Sequence, residues 1–238
     1  PLLKVEIPGE KYWKDQIKCQ SACPVHTDAR GYVRAIAEGN FEEAYLIARA
    51  PNPLASICGR VCGAPCEAAC RRGSVDQSIS IRALKRSASE EGFPPSLKDP
   101  LALINQIRES LDSRVCSGVD DLGGLMNFMD ERKRSKAKGK SIGIIGSGPA
   151  GLAAAHDLAL MGFSVVVYEM ESVPAGMLYL GVPAYRLPRE IIEAEVGVIK
   201  ALGVEIRTNC AIGKDVSLDE LRKWHQAVVI AVGCKKSR

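Results

Sequence analysis

SIGIIGSGPAGLAAAHDLALMGFSVVVYE, Ser141–Glu169, reads in order as a strand, a glycine-rich turn, a helix and a second strand. SIGIIG is short, apolar and β-branched. PAGLAAAHDLALMG is long enough for a helix and closes on Gly162, and FSVVVYE returns to strand composition. Gly146, Gly148 and Gly151 form Gly-x-Gly-x-x-Gly at the turn, with Ser147, Pro149 and Ala150 between them and Ala155 further on. Gly146 permits a tight turn, Gly148 lets backbone amides approach a pyrophosphate, and Gly151 lets helix and strand pack closely. The helix N-terminus adds favourable dipole charge for an anion. Glu169 ends the second strand about 20 residues after the loop, where a carboxylate accepts hydrogen bonds from ribose hydroxyls and disfavours a 2′-phosphate. A dinucleotide is the expected ligand.

Working outward, PREIIEAEVGVIKALG and SLDELRKWH read as helices, and VEIRTN and QAVVIAVG as strands. Strand–helix alternation of this kind means a parallel sheet with crossover helices, so residues 141–238 are expected to form a Rossmann-type α/β domain. Upstream the pattern is helical. TDARGYVRAIAEG has a Thr27/Asp28 cap and a Gly39 stop, NFEEAYLIARAP is capped by Asn40 with Glu43 three residues on, and SIRALKRSASEEG ends near Gly92. Residues 1–92 are therefore expected to be an all-α, cysteine-bearing domain. Residues 93–140 read as a helical linker whose basic stretch, ERKRSKAKGK, is a solvated helix end leading into the first strand.

Composition narrows the function classes. At 238 residues, with 46% hydrophobic and 25% charged residues, the chain has an ordinary globular balance. A net charge of +4 gives no reason to expect a nucleic-acid partner. The longest apolar runs, such as Ala227–Val232, are strand-length and far short of a membrane span. The opening PLLKVEIPGEKYWKD lacks a secretory pattern, so a cytoplasmic protein is expected.

Of nine cysteines, six fall between positions 19 and 70: Cys19, Cys23, Cys58, Cys62, Cys66 and Cys70. Disulfides, zinc and an iron–sulfur cluster are the candidate uses. The absence of an export signal and the nucleotide-binding second half favour metal or cluster ligation over disulfides. Structural zinc takes paired Cys-x2–4-Cys knuckles, which the spacing of four does not exclude. On one regular helix Cys58 and Cys70 would stand about 18 Å apart, too far for one site. Gly63 and Pro65 argue for a break that folds the thiols together, with Cys19 and Cys23 of CQSACP supplying further ligands.

The Gly-Pro-Ala-Gly filling of the loop, followed by the long PAGMLYLGVPAYRLPRE segment, is similar to flavoprotein disulfide-reductase-like folds that hold FAD. Together with CQSACPVHTD, NPLASICGRVCGAPCEAACRRG and SISIRALKR, it resembles the small (beta) subunit family of NADPH-dependent glutamate synthase. That family is related to the N-terminal region of dihydropyrimidine dehydrogenase. The resemblance spans residues 15–90 and 140–238. It implies a helical domain with two 4Fe–4S clusters, then an FAD domain with an inserted NAD(P)H domain. By position, Cys23, Cys62 and Cys66 resemble ligands of one cluster, and Cys19 and Cys70 ligands of the other. The implied FAD contacts are the Gly146–Gly151 loop, Glu169, Met177 and Arg186, with Val61 and Ile212 acting through backbone and packing.

Four departures from the family pattern bear on these expectations. The Cys-x2-Cys upstream of Cys19 is missing, because residues 1–18 hold no cysteine. One 4Fe–4S cluster is therefore expected, and a second depends on ligands from elsewhere. Cys58 is the cysteine available to fill a vacant ligand place. Lys85 stands where some relatives supply a glutamine, and a protonated lysine cannot coordinate iron. The connection across 93–140 is longer than usual, and no second glycine-rich strand–loop–helix follows AVVIAVGCKKSR. The expectation is an oxidoreductase subunit that passes electrons from NAD(P)H through FAD and 4Fe–4S to a larger catalytic or electron-accepting partner. On this reading NAD(P)H binds only with segments outside the chain. The alternative is a non-catalytic electron-relay or docking module of a larger redox complex.

Overall fold

The computed structural model of the chain describes residues 9, 12, 16–92 and 137–234. The linker expected over 93–140 falls almost wholly outside the described residues, as does Cys116.

The first half is helical: α1 (Lys18–Ser21), α2 (Ala29–Ala37), α3 (Phe41–Arg49), α4 (Ala55–Val61), α5 (Pro65–Ala68) and α6 (Ile81–Gly92), with a 3-10 turn at Arg71–Ser74. The expected caps are in place. The Asp28 carboxylate accepts from the Gly31 amide at 3.0 Å and the Asn40 side chain from the Glu43 amide at 3.1 Å, each worth about 1 kcal/mol. α2, α3 and α6 pack through Ala29, Tyr32, Ala35, Ala44, Ala48, Ile81 and Ala88. Five of these seven are alanines, so the helices approach closely and the core is small.

The second half is a parallel sheet in the order β3-β2-β1-β4, built from β1 (Ser141–Ile145), β2 (Ser164–Tyr168), β3 (Glu205–Arg207) and β4 (Ala227–Ile230). Ile144 of β1 stands beside Val167 of β2 and Val229 of β4. Helices α7 (Pro149–Leu160), α8 (Met177–Leu180), α9 (Arg189–Ala201) and α10 (Leu218–Trp224) supply the crossovers. Val165 and Val167 pack with Leu152, Ala155, Ile192 and Val196 on one face, while Val166 and Tyr168 meet Leu221 on the other. Coverage of both faces explains why the strands read as continuous apolar runs without alternation.

The two halves share a core. Leu54 and Ile57, at the start of α4, belong to the same buried cluster as Ile144, Ile192 and Val196. Beside them Arg49 of α3 and Glu195 of α9 form an ion pair at 2.6 Å, their side chains 1% and 0% exposed. The second Glu195 oxygen accepts the Ser56 amide at 2.9 Å, so one carboxylate holds α3 and the N-terminal turn of α4 against the Rossmann helices. No helix among the described residues is long and apolar enough to cross a membrane.

Candidate cofactor sites

The glycine loop between β1 and α7 has the geometry its sequence demands. Gly146 adopts φ +100°, and a Cβ there would lie 2.4 Å from the Ala231 carbonyl oxygen of the adjacent strand end. A Cβ on Gly151 would lie 2.0 Å from the Gly146 carbonyl oxygen, which is how closely α7 sits on β1. Gly148 faces open space instead. It is the N-cap of α7, Pro149 follows at the first helical position, and no side chain caps this end. The amides of the first turn are thus left for a ligand.

Beneath the loop, the Glu169 carboxylate is 5% exposed and accepts the Ser147 amide at 2.9 Å and the Ser147 hydroxyl at 2.5 Å. Its second oxygen accepts the Glu171 amide at 2.9 Å. The Ser147 hydroxyl in turn accepts the Ala175 amide at 3.1 Å, which ties the segment after β2 to the loop. Glu169 therefore braces the loop as well as facing the cleft.

That cleft encloses about 360 Å³, within the range of small-molecule pockets. Of the residues expected around a dinucleotide, Gly146, Gly148, Pro149, Glu169, Met177 and Ile212 line it. Ser147 and Gly151 are buried behind the lining, and Ala150 lies in the first turn of α7. Val61 packs from the last turn of α4 against the sheet core. Arg186 is exposed and outside the lining; Arg189 is the arginine that organises this segment. It donates to the Leu178 and Val182 carbonyls at 3.2 and 2.9 Å and lies 4.7 Å from the Tyr179 ring centre. Tyr168, Cys210 and Cys234 also line the cleft; nothing in their spacing marked them in advance.

The cysteines form a second site. α4 ends at Val61, Cys62 is its extended C-cap, and Ala64 takes a left-handed conformation (φ 53°, ψ 53°) before Pro65 opens α5. The break at Gly63–Pro65 redirects the chain, as its composition requires. Cys19, Cys23, Cys58, Cys62 and Cys66 line one cavity of about 40 Å³, together with Pro24, Thr27, Tyr32, Ile81, Arg82 and Lys85. Cys70 is not part of this lining. The Ala64 amide donates to Cys62 Sγ at 3.3 Å, and Cys23 Sγ to the Thr27 hydroxyl at 3.6 Å. Arg82 donates to the Cys62 carbonyl at 2.8 Å and its amide to Glu67 at 2.7 Å, which pins the Cys62–Cys66 loop to α6.

All eight described cysteines are free thiols. Burial pushes the Cys66 thiol up, and Cys23 and Cys62 push it further. Burial also raises Cys58, against the pull of Asn52 and Lys85, with Cys62 adding to the rise. Cys19 is raised by burial, with Cys70 adding a smaller push. Cys19 lines the same cavity as Cys23, Cys58, Cys62 and Cys66, while Cys70 stands outside that lining. Among the described residues no three His, Cys, Asp or Glu side chains converge as they would on a single metal ion. Five cysteines line one cavity instead, an arrangement that suits a polynuclear group.

Comparison with known proteins gives these two sites a context. Residues 14–94 match the family model described as dihydropyrimidine dehydrogenase domain II, 4Fe-4S cluster, and residues 144–197 match an NAD(P)-binding Rossmann-like domain. Over 92% of its length the chain is 40% identical to the NADP(+)-dependent formate dehydrogenase subunit beta of Moorella thermoacetica, covering 30% of that protein. It is 36% identical to the NADPH-Fe(3+) oxidoreductase subunit beta of Geobacter sulfurreducens, again over 92% of the chain and 28% of the relative. The glutamate synthase [NADPH] small chain of Azospirillum brasilense is 31% identical, over 92% of the chain and 40% of the relative. The chain spans less than half the length of each. An all-α region matching a 4Fe-4S family model is thus followed by a parallel-sheet region matching a Rossmann-like one, and over the part it spans the chain is similar in sequence to the glutamate synthase small chain and to these other oxidoreductase subunits.

Proposed function

We propose that the chain is the electron-passing part of an NAD(P)H-dependent oxidoreductase subunit, with FAD in the Rossmann cleft, one 4Fe–4S cluster in the cysteine cavity, and a larger electron-accepting partner. One observation carries the reading. α4 turns Cys58 and its C-cap Cys62 to the cysteine cavity while Leu54, Ile57 and Val61 pack into the core of the sheet that bears the glycine loop. Seven residues of helix span about 10 Å, so one short element carries cysteine-cavity residues on one face and packs a neighbouring face into the core beneath the glycine loop.

The residues present fit both groups. The amides of Ala150 and Gly151 and the open space at Gly148 suit a pyrophosphate, and the Glu169 carboxylate suits a ribose. Cys23, Cys62 and Cys66 supply three thiolates and Cys58 the fourth. Cys19 and Cys70 leave a second cluster two ligands short. FAD supplies two-electron acceptance and single-electron release, and the cluster accepts single electrons. What the chain contributes is position. Arg82 holds the ligand loop, the Ala64 amide stabilises a thiolate at Cys62, and Tyr32 and Ile81 supply apolar wall to the cavity.

Anaerobically purified protein should show flavin and broad iron–sulfur absorption, with iron and sulfide each about four per chain, as a single cubane requires. Zinc without iron or flavin would overturn the reading. Ligand assignment is tested within the same preparation. Cys62→Ser and Cys66→Ser should lose the cluster, because losing a ligand costs more than the about 10–100-fold in affinity lost with a ligand's hydrogen-bond partner. Cys58→Ala should leave a cluster one iron short, visible by EPR, while Cys70→Ser keeps its iron. Full iron in Cys58→Ala would remove that residue from the ligand set.

A further inference from the structure

Lys85 lies on α6 with its side chain in the cysteine cavity and is 9% exposed. Its ammonium nitrogen sits 5.8 Å from the centre of the Tyr32 ring, which lines the same cavity. Among the described residues no carboxylate pairs with it, and it has no hydrogen-bond partner at the nitrogen. The neighbouring acid, Glu67, is engaged by the Arg82 amide, and the Arg82 guanidinium is engaged by the Cys62 carbonyl. An ammonium on the wall of a cavity with no carboxylate paired to it lacks a counter-charge there. It is sustained when an anion occupies the space it faces. Four thiolates around a 4Fe–4S core carry net negative charge, which grows by one on reduction, whereas lysine, with three donors and no lone pair when protonated, cannot itself be a ligand.

We propose that Lys85 is a non-ligating counter-cation of the cluster, which balances the charge of the four-cysteine set and raises the cluster's reduction potential. The proposal rests on the cluster reading above. A fixed cation inside the cavity favours the more negative, reduced state over the oxidised one, and low local polarity strengthens the effect. Tyr32 supplies the face over which the ammonium rests, and α6, anchored by the Tyr32 hydroxyl on the Ile81 carbonyl at 3.2 Å, fixes its reach. Arg82 occupies the same wall and keeps its charge, but its guanidinium is held on the Cys62 carbonyl, so among the described residues Lys85 is the cavity cation with no bonded partner.

The test is an EPR-monitored redox titration of the iron-loaded full chain, wild type against Lys85→Met and Lys85→Arg, with iron counted in each. In Lys85→Met the ratio of reduced to oxidised cluster at a given potential should fall at least tenfold, a shift of about 59 mV for one electron. Lys85→Arg should stay within a few-fold of wild type. If Lys85→Met takes up no iron, an Arg variant with full iron and a near-wild-type potential supports the role equally. A Met variant with full iron and an unmoved potential overturns the proposal and leaves the cluster reading standing. So does an Arg variant that behaves like the Met variant. A wild-type chain that binds no iron overturns both.

Discussion

Glu195→Ala is expected to destabilise the folded chain by about 3–5 kcal/mol, the range for breaking a fully buried ion pair by removing one partner. The loss is large because one carboxylate serves two groups. Its Oε2 meets the Arg49 guanidinium at 2.6 Å and its Oε1 takes the Ser56 amide at 2.9 Å. Removing it strands a guanidinium whose side chain is 1% exposed and an amide in the first turn of α4. Glu195→Gln, which keeps acceptor oxygen for one partner, should cost clearly less. The double replacement Arg49→Met with Glu195→Leu should recover most of the loss, because the cost lies in the uncompensated charge more than in the missing attraction. Urea unfolding of the three variants checks this through the midpoint at constant slope. Equal stability of Glu195→Ala and wild type would show that the halves are held by apolar packing alone. A second consequence concerns position. α4 carries Cys58 and leads into Cys62, so the alanine variant should also take up iron less completely than Arg49→Met with Glu195→Leu.

Much of this arrangement is legible in the sequence, and the remainder divides along a physical line. Local rules placed the caps at Asp28 and Asn40, the strand–loop–helix at Ser141–Leu160 and the break between Cys62 and Pro65, because each follows from residues a few positions apart. The capping box at Ser217 and Glu220 is of the same kind. Long-range pairings were not legible. Arg49 and Glu195 stand 146 residues apart, and each reads as an ordinary charged residue on an amphipathic helix. Lys85 is marked by the resemblance as a residue that cannot ligate iron, but its place in the cavity wall beside Tyr32 shows only once α6 is laid against the cysteines. Spacing marks Glu169 as a candidate ribose acceptor, but its grip on Ser147 depends on how deeply the loop sits, which spacing does not report. Arg186 and Arg189 are three residues apart in one segment; only the fold shows that Arg189 braces the Leu178 and Val182 carbonyls while Arg186 faces outward.

The buried Gly151 and the open Gly148 of the glycine loop predict different effects on stability for the same substitution. Gly151 lies in the first turn of α7, where glycine-to-alanine would by propensity alone favour the helix by about 1 kcal/mol. Here the added Cβ would stand 2.0 Å from the Gly146 carbonyl oxygen and 3.4 Å from Ile144 Cγ2. Backbone is the near obstacle, so α7 must shift away from β1 and the loop must open. Gly151→Ala is expected to destabilise the chain by about 1–3 kcal/mol, as overpacking does, and to abolish dinucleotide retention. Gly148→Ala meets nothing within 4 Å and keeps an ordinary negative φ of −62°, so stability should stay within about 0.5 kcal/mol of wild type. Its Cβ nevertheless fills the space from which a pyrophosphate would approach the helix amides, so retention should fall just as far. Thermal melting of the flavin-free chains and flavin content of the purified ones separate the two effects. A Gly148→Ala protein that keeps flavin at the wild-type level would remove the pyrophosphate from this loop. The same result in Gly151→Ala would mean that α7 can retreat without disturbing Gly146, contrary to the contact that joins them.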